Sequence, residues 1–80
     1  MSLALAARYL AQGKWGKAHE IAQADASMLG AWAHGIVHLQ EGDLGNARYW
    51  YARAGRPFPS PVDIPSEVAA LASAVEASLE

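Results

Sequence analysis

The stretch AWAHGIVHLQEGDLGNARYWYARAG, residues 31–55, decides the fold. Upstream of Gly42 the chain keeps helical spacing from Met28 to Glu41, and Gly42 is the residue type that ends helices. Asp43 then caps a further helix that runs to Ala54 and Gly55. Two helices joined by so short a turn form a hairpin. Gly35 on the first must meet Ala47 on the second if the two axes are to approach closely, and small residues stand at both places.

Towards the N-terminus the same pattern recurs at an offset of 29 residues, which pairs Ala4 with Ala33, Leu10 with Leu39, Gly13 with Gly42, Gly16 with Gly45, and Ala18 with Ala47. A helix is expected from Ser2 to Gln12 with Leu3, Ala6, Ala7 and Leu10 on one face, ended by Gly13. A second is expected from Lys14 to Ala24, with Trp15, Ala18, Ile21 and Ala22 inward. Residues 2–25 thus read as a first hairpin and 28–55 as a second, with the glycines at turn and packing positions. Towards the C-terminus, the four prolines between Arg56 and Pro65 exclude helix interior, so residues 56–65 read as an extended connector. Asp63 is the expected N-cap of a last helix, residues 64–79, whose stripe is Ile64, Val68, Leu71, Val75 and Leu79. β-Branched residues are sparse and threonine is absent, so the fold class is all-α.

Composition bounds the rest. Eighty residues make one domain, residues 1–80, and 52% hydrophobic against 18% charged content favours a packed core over disorder. Much of that hydrophobic content is alanine, which gives a small core little stability and favours a partner or self-association. A net charge of −2 with six Lys and Arg offers no basic field for nucleic acid. Without cysteine there is no disulfide, no thiolate nucleophile and no thiolate zinc site. The apolar run from Met1 to Leu10 lacks a basic flank and is interrupted by Arg8 and Tyr9, so neither a signal peptide nor a membrane span is expected, and the expected compartment is the cytoplasm.

The spacing of Gly35, Ala47, Tyr51, Ala54 and Pro59, with Ala6, Tyr9 and Ala18 in the first hairpin, resembles the tetratricopeptide repeat family over roughly residues 2 to 59. The last helix is similar to the solvating cap of such arrays. Residues 42–51 also resemble a segment of short uncharacterised bacterial proteins. The repeat resemblance implies a protein-binding scaffold whose concave face, on the third helix, carries Trp32, Ile36, Leu39 and Gln40. The i, i+4, i+7 spacing of these residues equally describes an ordinary core stripe.

Chemistry-bearing residues cluster in two places. His34 and His38 stand four apart on one helix face, and with His19 and Glu20 of the first hairpin they could hold a divalent metal with an open coordination position. The same histidines fall where the repeat packs large side chains, which would make them buried, neutral and hydrogen-bonded. Tyr49, Arg53 and Arg56 share one side of the fourth helix and could receive a carboxylate or phosphate. The four carboxylates of residues 57–80, a stretch without Lys or Arg, are the competing partners. No HExxH motif, nucleophile elbow, phosphate loop or dinucleotide fingerprint is present, so no catalytic residue is assigned and no cofactor is expected beyond that metal. The expected function is a small interaction module that binds a peptide, a partner helix or its own copy, with three Trp and three Tyr favouring a homodimer. The alternative is a metal- or small-anion-binding protein built on His19, Glu20, His34 and His38, with catalysis open to it.

Overall fold

Helices begin where the sequence supplies an oxygen for the first free N–H groups. In the computed structural model, which describes residues 2–79, α1 spans Leu3–Ala11, α2 Trp15–Gln23, α3 Met28–Glu41, α4 Leu44–Arg53 and α5 Ile64–Ser78. Ser2 accepts from the Leu5 N–H at 3.3 Å, Ser27 from Gly30 at 3.0 Å, Asp43 from Asn46 at 3.3 Å and Asp63 from Ser66 at 3.1 Å. Only α2 starts without a side-chain cap, at Lys14. Gly42 has φ +88° and its N–H donates to the His38 carbonyl at 3.0 Å, which closes α3 with a left-handed residue, as its sequence position predicts. The fold is all-α, with no strand among the described residues.

Helix α3 is the centre of the molecule and touches each of the other four. Its sequence is apolar almost all round, and ten of its residues are buried, from Gly30 to Leu39. α1 packs on α2, α2 on α3 and α3 on α4, while α5 lies against α1 and α3 and reaches α4 through the hydrogen bond between Glu67 and Tyr51. The largest fully buried side chains are Trp32, Tyr51, Leu10, Ile36, Leu71 and Val37, each contributing about 1.5–3 kcal/mol on removal from water. Val68, Leu71 and Val75 point inward from α5, whereas Leu79, expected on the same stripe, is 77% exposed. Phe58 pins the connector by packing edge-on against Tyr51, with ring centroids 5.5 Å apart, under the Arg48 guanidinium at 4.2 Å.

The Gly35 contact holds: a Cβ there would lie 2.6 Å from Cδ1 of Tyr51 and 3.5 Å from the Ala47 carbonyl oxygen. Gly16 and Gly45 do not behave as packing positions. A Cβ on Gly16 would meet nothing within 4 Å, and one on Gly45 only Asp43 at 4.0 Å, because both sit on solvent-facing first turns. Among the described residues, no helix is long and apolar enough to cross a membrane.

Candidate functional site

On α3 the four-residue spacing stacks His34 and His38 one turn apart, and the packing of α2 against α3 brings His19 to the same place. Ring centroids lie 5.0 Å apart for His34 and His38, 4.7 Å for His19 and His34, and 5.7 Å for His19 and His38. One ligating nitrogen from each falls within 4.8 Å of the others. Tetrahedral coordination at about 2.0–2.1 Å needs those nitrogens about 3.4 Å apart, a closure of less than about 1 Å for each side chain.

The three differ in environment. His34 is 6% exposed and His38 8%, while His19 is half-buried and is the solvent side of the cluster. The Nδ1–H of His38 donates to Glu41 Oε1 at 2.8 Å, which leaves the Nε2 lone pair free for another partner. Trp50 lies flat on His34, centroids 3.8 Å apart and planes 10° from parallel. The Nδ1 of His34 is buried without a hydrogen-bond partner. Burial first, then the neighbouring His19 and His38, lowers the His34 pKa to about 4, so the ring is neutral at pH 7.

Glu20 does not join this cluster. It is exposed and outside the group, because adjacent helical residues project about 100° apart and His19 already faces α3. Glu41 takes its place as the carboxylate of the site, though it acts on the outer nitrogen of His38. A second group, His38 with Glu41 and Asp43, has exposed carboxylates, and both Asp43 oxygens already accept from Asn46, at 3.3 Å from its N–H and 3.2 Å from Nδ2.

The proposed concave face is closed from within. Trp32, Ile36 and Leu39 are all buried, and α5 packs on α3, so this stripe is core and not an open groove. Trp32 Nε1 donates to Glu67 Oε1 at 3.1 Å, the Tyr51 hydroxyl donates to the same oxygen, and Arg56 stacks on the Trp32 ring at 3.4 Å. Burial, then the bond to Glu67, raises the Tyr51 pKa well above that of an ordinary phenol. Gln40 is half-buried and its Nε2 donates to the Leu10 carbonyl at 2.7 Å.

The arginine site also separates. Arg53 Nη1 lies 3.4 Å from the Tyr49 hydroxyl, whereas Arg56 has turned inward onto Trp32. The expected pairing of these arginines with C-terminal carboxylates is replaced by stacking on aromatic rings, and among the described residues no arginine forms a salt bridge.

A groove of about 730 Å³ runs between α1 and α5, and its lining includes Ala4, Ala7, Val68 and Ala72 with the charged Arg8 and Glu76. Comparison with known protein families, curated proteins and solved structures returns no match.

Proposed function

We propose that this chain binds a divalent transition-metal ion through His19, His34 and His38. The observation that carries the reading is the convergence of three imidazoles from two packed helices, the innermost of which holds a buried nitrogen with no hydrogen-bond partner. An unsatisfied buried polar group costs about 1–3 kcal/mol, and an ion coordinated at that nitrogen removes the cost. Imidazole donors favour zinc, copper, nickel, cobalt or iron over magnesium and calcium, which prefer oxygen. An ion here joins α2 to α3, and with them the two helical pairs of a small, alanine-rich core.

Calorimetric titration with Zn²⁺, followed by thermal unfolding, tests this reading. Zinc at about 100 times its dissociation constant adds roughly 2.7 kcal/mol of stability. His19→Ala, at the half-buried member, should abolish the increment and leave the apo fold intact. An equal increment in wild type and variant sinks the proposal.

A second reading retains the repeat-like interaction module and is favoured by the groove between α1 and α5. Its occupant in this reading is a second copy, with Arg8 and Glu76 meeting their opposites across a two-fold axis. Light scattering tests it: Arg8→Glu should give monomers and Arg8→Glu with Glu76→Arg should restore the dimer. A wild type that remains monomeric at all concentrations rejects it.

A further inference from the structure

We infer that an ion held by His19, His34 and His38 keeps one coordination position for an exogenous small anion, of the size of azide or a simple carboxylate. This inference rests on the metal-binding reading and specifies what the loaded site takes.

Three observations carry it. First, the cluster has three donors and no fourth among the described residues: Glu20 projects from another side of α2, Glu41 is committed to the outer nitrogen of His38, and Asp43 is committed to Asn46. Three protein ligands with a vacant fourth position is the arrangement of sites that exchange ligands, whereas closed structural sites use four. Second, the donor set is uncharged. Three ligating imidazoles leave the full double charge of the ion in place, beside two side chains that are over nine-tenths buried. In so poorly solvated a place an anion is held more strongly than a neutral molecule. Third, access is one-sided. Trp50 covers His34 and His38 is buried, while His19 is half-buried, so an incoming ligand passes His19.

Cobalt(II) is the probe, because its visible bands report coordination number and ligand exchange, and a chain without cysteine contributes no thiolate bands. Full-length protein is loaded with Co²⁺ and titrated with azide, acetate and the neutral acetamide. Azide and acetate should change the bands saturably and acetamide should not. Glu20→Gln should respond as the wild type does. Bands that form on loading but ignore azide overturn the inference and leave the metal reading standing. An azide response that appears only in Glu20→Gln also overturns it, since Glu20 would then be the fourth ligand. Absence of Co²⁺ bands, or bands that persist in His19→Ala, overturns both readings.

Discussion

Glu41 receives the Nδ1–H of His38 across one turn of α3, at 2.8 Å. A carboxylate in that position orients the ring, fixes its tautomer and raises the basicity of the far nitrogen, the nitrogen left to meet His19 and His34. The pair ties a surface glutamate to a buried face.

Replacing that glutamate tests the linkage. Glu41→Gln keeps the size of the side chain and removes its charge, so zinc affinity should fall about 10- to 100-fold with the fold unchanged. Competition with a coloured chelator measures it, and an affinity within threefold of wild type would remove Glu41 from the site.

The apo protein should lose stability in acid because of His34. Its folded pKa is about 4, below the 6.5 of an ordinary histidine, so between these values the unfolded chain binds the proton that the folded chain refuses. The contribution is fully present above pH 6.5 and disappears as pH falls towards 4, a change of about 3 kcal/mol at most. Urea unfolding at several pH values should show a shallower slope across this window in His34→Phe than in wild type.

Two glycines in helices should respond in opposite directions. Gly35→Ala drives a Cβ to within 2.6 Å of the buried Tyr51 ring and should cost about 1–3 kcal/mol. Gly16→Ala adds a Cβ in open space within α2 and should stabilise by up to about 1 kcal/mol. Denaturant midpoints distinguish them, and a shift of the same sign in both would contradict the packing described.

Glu67 should hold α5 in place. Glu67→Ala leaves Trp32 Nε1 and the Tyr51 hydroxyl without their acceptor in a buried setting, at a cost of about 1–3 kcal/mol for each donor. Amide exchange in α5 should accelerate more than in α2, which α5 does not touch. Uniform acceleration would argue against a local role.

The helices were legible in the sequence because their signals are local. Asp43 and Asp63 cap where they stand, Gly42 turns left-handed, and each observed helix ends within a residue or so of its expected bounds. The meeting of His34 with His38 follows from periodicity alone. What could not be read is which element covers which face. Trp32, Ile36 and Leu39 have the spacing of a groove or of a core, and only tertiary packing, such as that of Glu67 on Trp32, 35 residues away, decides between them. Glu20 looked like the carboxylate of the site through adjacency to His19, yet adjacency in a helix is separation in space. Glu41, at i+3 from His38, had the spacing that counts. The placement of Trp50 over His34 depends on the register between α3 and α4, which no local pattern records.

The contact of α1 with α5 has a bearing on biosynthesis. Residues 64–78 pack on α1 and α3, and Glu67 among them accepts from the Trp32 indole, so the core closes across most of the sequence. Until α5 has left the ribosome, the nascent chain carries an indole N–H and an aliphatic face turned to solvent. The earlier helices form from near neighbours, but completion of the fold waits on its most distant pairing, and that interval is when the chain is most exposed to aggregation.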